Sequence, residues 1–285
     1  MKKMTFITVF VFLLVAFVSC DNITSQNTVT TSETTTLITE EALLFEYHIE
    51  GNDVFIDGYA DANVIELVIP YEIEGKAVTV ISDEAFHAMT MLQSVYIPGS
   101  VISIGEEAFS NCPSLTSVTL AEGVSVIGLG AFMSCTSLET INIPDSVLSI
   151  NDFAFHECTS LNEITLPEGL TYLGGGAFYH CESLTAIEIP QGVTTIWAST
   201  FLGCIELVSI ELPDTLTKIA QTAFKECSAL TSIVIPRSVT TIENRVFEDC
   251  DLLTINAEAA SPKTLWSADW NIDDNPVVWD YSPEN

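Results

Sequence analysis

The sequence predicts an α/β solenoid of about eight 23-residue coils, each running strand, turn, short strand, short helix. A β cap should close its N-terminal end and a Trp-rich cap its C-terminal end. Three observations carry this. Phe86, Phe109, Phe132, Phe155, Phe178, Phe201, Phe224 and Phe247 recur every 23 residues without a slip, and a strict period in this range marks stacked repeats. Ahead of each later Phe lies an apolar L-x-x-L-x-L stretch, as in Leu138, Ile141 and Ile143. Around each Phe, residues such as Ala154, Phe155, Cys158 and Leu161 fall at i, i+1, i+4 and i+7, one face of a helical turn.

The chain opens with Met1-Lys2-Lys3 and an apolar run over residues 4–18. At about 15 residues the run is short of the roughly 20 needed to span a bilayer as a helix, and it fits the apolar region of a secretory signal. It ends at Phe17-Val18-Ser19-Cys20, which resembles the lipobox of bacterial lipoproteins, although Phe17 stands where Leu is usual. The resemblance implies a signal peptide over residues 1–19 and a lipid-modified Cys20. Residues 20–40 are rich in Thr and Ser and too poor in large apolar groups to build a core. They read as a tether with a reach of about 25 Å if flexible.

Residues 41–63 are the expected N-terminal cap. Phe45 to Ile49 and Val54 to Ile56 alternate apolar and polar residues around Gly51-Asn52-Asp53, a hairpin pattern. The solenoid proper spans residues 64–255. Its first coil is lengthened by Glu72 to Lys76: Pro70 to Phe86 is 16 residues, whereas Pro144 to Phe155 is 11. In later coils the strand ends at a Pro, with Ala121 standing in once. A turn follows, then a second extended piece such as Val147 to Ile150. Coils stacked about 4.8 Å apart would give a body about 40 Å long. After Leu253 the apolar pattern fails, with Asn256 and Glu258 in apolar places, so residues 256–285 read as the C-terminal cap, its Trp266, Trp270 and Trp279 covering the last coil. An aromatic sugar-binding patch is the alternative use of these Trp residues.

The full pattern, Ile-Pro-x-Ser-Val-x-x-Ile-x-x-x-Ala-Phe-x-x-Cys-x-Ser-Leu, resembles the BspA-like bacterial leucine-rich repeat family over about residues 64–255. That resemblance implies a surface or secreted protein, several relatives being adhesins for host proteins or other cells. It implies a scaffold rather than a reaction.

Composition excludes some functions. With 8 Lys+Arg against 39 Asp+Glu the formal net charge is −31, which repels phosphate backbones and makes nucleic acid an improbable partner. Seven cysteines, Cys112, Cys135, Cys158, Cys181, Cys204, Cys227 and Cys250, share the 23-residue period. Their single-file spacing offers no tetrahedral metal set. Helical phase turns them inward, where a reduced thiol acts as a small apolar residue, and Met89 takes the same place in the first coil. The histidines His48, His87, His156 and His180 do not converge on a third ligand, though His156 and His180 lie in neighbouring coils. Asp269, Asn271, Asp273, Asn275 and Asp280 match the ligand places of an EF-hand loop, but Asp274 stands where Gly is required. The Gly128-Leu129-Gly130 and Gly174-Gly175-Gly176 runs are repeat turns, lacking the helix of a phosphate loop. No catalytic motif, metal or cofactor is expected.

Function is therefore sought on the outward strand positions. One column reads Tyr96, Thr119, Asn142, Thr165, Glu188, Glu211, Val234; the other reads Ser94, Ser117, Thr140, Glu163, Ala186, Ser209, Ser232. Tyr96, Asn142, Glu163, Glu188 and Glu211 are the candidate ligand-binding residues. Trp197 and Leu202 are a candidate apolar spot on the helix side. The expected protein sits lipid-anchored on the extracellular face of the bacterial membrane and binds a protein or glycan. A structural spacer without external ligand is the alternative, and an enzyme the remote one.

Overall fold

The computed structural model describes residues 44–282, so the signal peptide, Cys20 and the tether lie outside the described residues. The body is a solenoid of about ten turns rather than eight. Each regular turn contributes a strand to two parallel stacks. The first stack runs Glu66–Val68, Ser94–Ile97, Ser117–Leu120, Thr140–Asn142, then Ala186–Glu188, Ser209–Glu211, Ser232–Ile235, Thr254–Ala257 and Val277–Trp279. The second is made of two-residue strands such as Ser103–Ile104, Val126–Ile127 and Ser149–Ile150, paired in register one repeat apart. Leu67, Val95, Val118 and Ile141 point inward from the first stack, and Ile81, Ile104, Ile127 and Ile150 from the second. Alternate residues face solvent, as the strand period requires.

The third side departs from expectation. No α-helix forms among the described residues; the segment around each ladder Phe is a succession of turns. Two residues per coil explain this. The positions two before and two after each Phe are left-handed: Glu84 and Ala88, Phe153 and Glu157, Thr222 and Glu226, with φ between 54° and 64°. A right-handed helix cannot pass through them. The amides bond instead to the next coil: Phe153 N–H donates to Gly175 O (2.9 Å), Phe155 to Ala177 O (2.9 Å) and Glu157 to Tyr179 O (2.7 Å). Because each coil repeats the last, an acceptor from the neighbour stands opposite each donor. The i, i+1, i+4, i+7 spacing is common to a helix face and to this stacked turn, so the pattern alone does not separate them.

Behind this turn ladder sits the aromatic spine. The eight Phe rings are fully buried and stack with centroids 4.9–5.6 Å apart and planes within 16°. The seven repeat cysteines are free and buried beside them. Each thiol donates to the carbonyl of the Phe 26 residues earlier, for example Cys158 Sγ to Phe132 O (3.2 Å) and Cys250 Sγ to Phe224 O (3.0 Å). A carbonyl beneath the spine thus receives a hydrogen bond that an aliphatic residue could not supply.

At the N-terminal end Phe45–Glu50 pairs antiparallel with Asp53–Tyr59, which joins Lys76–Ile81 in parallel. The extra length of the first coil is a small hairpin: Glu72–Ile73 folds back on Lys76–Ala77 through Glu74 and Gly75, both at positive φ, as a type I′ turn demands. At the other end the strand pattern does not fail after Leu253. It slips by one residue, so that Ile255 and Ala257 face inward and Asn256 outward, and Thr254–Ala257 pairs with Ser232–Ile235. Leu265–Trp266 adds to the second stack and Val277–Trp279 to the first. Trp270, 23 residues after Phe247, takes the next place in the spine and meets that ring edge-on at 6.0 Å.

Candidate functional site on the outward strand face

The outward columns of the first stack are set by register. Tyr96 stands between Val68 and Thr119, and Thr119 pairs with Asn142. Tyr96 is 43% exposed and Val68 63%, so the N-terminal end of the face is apolar, a feature not drawn from the sequence columns because they began at Tyr96. Tyr96 lies apart from the other candidates.

Asn142, Glu163, Glu188 and Glu211 come together where the ladder lapses. The first stack is hydrogen-bonded from Glu66–Val68 to Thr140–Asn142 and again between Ala186–Glu188 and Ser209–Glu211. Between them the coil of Ile164, Thr165 and Leu166 makes one bridge, Thr140 to Glu163, while Asn162 N–H donates to Glu139 O (3.3 Å) and Asn162 O accepts from Thr185 N–H (3.4 Å). Pairing is also interrupted between Ser209–Glu211 and Ser232–Ile235. Two shallow concavities open on the face here. One, of about 250 Å³, is lined by Thr140, Asn142, Glu163 and Thr165. The other, of about 320 Å³, is lined by Glu163, Thr165, Glu168, Glu188, Pro190, Ser209 and Glu211. They share Glu163, Ile164 and Thr165. The lapse coincides with carboxylates replacing the hydroxyl and amide residues of earlier coils. Like charges do not account for the lapse: Glu188 and Glu211 are direct register partners in a step that stays paired, and Thr165 stands in their column in the lapsed coil. Glu168 and Ser209 join the site through topology; neither was singled out by the sequence columns as a ligand contact.

Other sequence candidates are dispersed or absorbed into the fold. His156 and His180 do approach, each against Tyr179, at 4.5 and 4.6 Å between ring centres. Burial lowers the His156 pKa, with Glu157 opposing and His180 adding to the shift. Among the described residues no group of three or more His, Cys, Asp or Glu could hold a metal ion. In the Asp/Asn run at the C-terminal end, Asn271 exchanges hydrogen bonds with the Asn275 main chain, and Asp273 accepts from Asp249 N–H. Trp266 and Trp270 are buried against each other and against Trp279, which removes the open aromatic platform that the sugar-patch alternative needs. Trp197 remains 39% exposed, with Lys218 Nζ 5.9 Å from its ring centre and Tyr172 beside it. Leu202 is half-buried.

Comparison with known proteins gives four results. The family model described as the BspA type leucine rich repeat region matches in six copies, over residues 59–155, 79–204 and 149–263. The crystal structure of a T. pallidum leucine-rich repeat protein is similar at 32% identity and a TM-score of 0.64, covering 66% of this chain and 89% of that one. A leucine-rich repeat protein from Bacteroides ovatus is similar at 26% identity and a TM-score of 0.63, covering 86% of this chain and 71% of that one. A search of the curated proteins returned no match.

Proposed function

This chain belongs to the BspA-type leucine-rich repeat family, and from that premise we propose that it is a surface-displayed, lipid-anchored protein that binds a protein or glycan through the outward strand face. Leucine-rich repeat proteins are generally protein-binding, and the bacterial families are typically non-enzymatic scaffolds. The observation that carries the reading is the face itself. Four of five sequence-chosen residues meet at two adjoining concavities, while polar candidates elsewhere are occupied by the fold. Open, shallow and wide surfaces suit a macromolecule better than a small substrate. The proposed organisation keeps the signal peptide at 1–19, lipid on Cys20 and a tether to residue 40, so that the solenoid stands off the membrane with its face free.

The test blocks the face without touching its carboxylates. Thr119→Arg with Asn142→Arg sets two long side chains across the middle of the first stack. Cells displaying this variant should attach to a host-protein matrix at least fivefold less than cells displaying the parent chain. Thr171→Arg with Thr194→Arg, on the second stack, should leave attachment unchanged. Equal attachment by all three, or equal loss from both pairs, would overturn the assignment of the face. For the anchor, Cys20→Ala should abolish incorporation of labelled lipid; a variant that is still labelled refutes the lipobox.

A further inference from the structure

The turn side of the middle coils carries four rings that the strand face does not use. Phe153 meets His156 edge-on at 5.6 Å between ring centres, His156 stacks on Tyr179 at 4.5 Å, and Tyr179 meets His180 edge-on at 4.6 Å. The outer two rings lie over bare backbone of the next coil. A Cβ on Gly176 would stand 2.5 Å from the Phe153 ring, and one on Gly203 would stand 2.5 Å from that of His180. The stack therefore bridges three coils. It runs beside the main-chain bonds from Glu157 N–H to Tyr179 O and from His180 N–H to Leu202 O, each 2.7 Å.

His156 lies at the centre of this stack. Its side chain is 21% exposed, and its Nδ1 is buried without a hydrogen-bond partner. From its own coil Glu157 faces Nε2 at 3.7 Å. From the next coil come Tyr179 and His180, the latter with Glu182 at 3.6 Å. The preceding coil places Met133 and Ser134 there, without charge, and Ser134 Oγ donates to Glu157 Oε2 (3.0 Å). Protonation would turn Nδ1 into a donor with no acceptor. Glu157 and the Tyr179 ring face favour the charged form. Burial outweighs Glu157 and His180 adds to it, so the His156 pKa lies below its usual 6.5. An imidazole whose folded pKa is lowered stabilises the fold above the unfolded value, and that stability is lost as pH falls from there toward the folded one.

We propose that the Phe153–His156–Tyr179–His180 stack is an acid-sensitive latch. Neutral His156 closes the turn of Phe153 to Cys158 onto that of Gly176 to Cys181, and its protonation opens this joint while the other coils stay stacked. The same coil carries Glu163 and Thr165 of both concavities and makes a single ladder bridge on the strand side. Mild acid therefore acts on the coil that underlies the outward face, whatever that face binds.

Hydrogen exchange on the full chain is the test. The Phe155 and Glu157 amides donate across the joint, and the Phe109 and Phe224 amides hold the equivalent place in other coils. After correction for intrinsic rates, the opening equilibrium at Phe155 and Glu157 should rise at least threefold from pH 7.5 to pH 5.5, the ceiling for one imidazole being about tenfold. At Phe109 and Phe224 it should change less than twofold. His156→Gln and His156→Phe, the second of which keeps a ring on Tyr179, should both abolish the response, whatever their protection at pH 7.5. His87→Gln, in the same column three coils earlier, should keep it. No rise in the parent, an equal rise at all four amides, a response that survives either His156 variant, or its loss in His87→Gln would each overturn the proposal.

Discussion

Alkaline pH should unfold this protein through its thiols. Burial raises the pKa of Cys158, Cys181, Cys204, Cys227 and Cys250, the last to about 12. Cys112, at the head of the ladder, is instead held down by its neighbour Cys135. A thiol whose folded pKa lies above its unfolded value stabilises the fold fully below the unfolded value, and that stability is lost as pH rises toward the folded one. With an unfolded value of 9.0, each protonated native thiol should lose about 1.4 kcal/mol of stability between pH 8 and pH 10. Five such thiols add to about 7 kcal/mol, as large as the whole stability of many domains. Each thiol is also a donor to a Phe carbonyl, so ionisation removes a buried hydrogen bond as well. Repeat proteins can unfold in parts, so the decisive quantity is a difference. Urea unfolding of parent and Cys181→Ala, under a phosphine reductant at pH 8 and pH 10, should show the variant losing about 1.4 kcal/mol less over that interval. The constant cost of the substitution cancels. Parallel pH profiles would refute the buried-thiol argument.

Two further outcomes follow from the turn ladder and the spine. Phe155→Ala removes a fully buried ring stacked at 5.6 Å on both neighbours. It should cost about 3–5 kcal/mol, read as a lowered urea midpoint or a transition split in two at that coil. A loss below about 1 kcal/mol would mean the spine adjusts around the gap. Ala88→Gly should stabilise, contrary to the usual sign. Ala88 is exposed and left-handed at φ 57°, a conformation that costs an L residue about 1–2 kcal/mol. Glycine escapes that cost, at about 0.5–1 kcal/mol of added unfolded-state entropy. A lowered melting temperature would show that the left-handed position carries no strain.

How much of this was legible in the sequence follows from which forces are local. The 23-residue ladder, the inward strand positions and the burial of the cysteines were all readable. Each depends only on which residues are apolar and how far apart they lie. The N-terminal hairpin was readable from its alternation and its Gly51 turn. The outward columns were readable too, because a strand alternates its faces. They named Asn142, Glu163, Glu188 and Glu211 without showing that these residues converge.

Hydrogen bonds between coils lie beyond the reach of periodicity. Around Phe155, whether an amide turns back to its own chain or across to the next coil depends on a neighbour 22 residues away, and the left-handed Phe153 and Glu157 commit it to the neighbour. That replaced the expected helix. The one-residue slip at Ile255 hid two further strands of the first stack, because a fixed period cannot follow a deletion that pairing with Ile233 absorbs. The lapse at Ile164–Leu166 is likewise invisible to periodicity, since the apolar pattern of that coil is intact. It arises in the pairing between coils, and it turns residues that the outward columns merely list into the lining of two concavities.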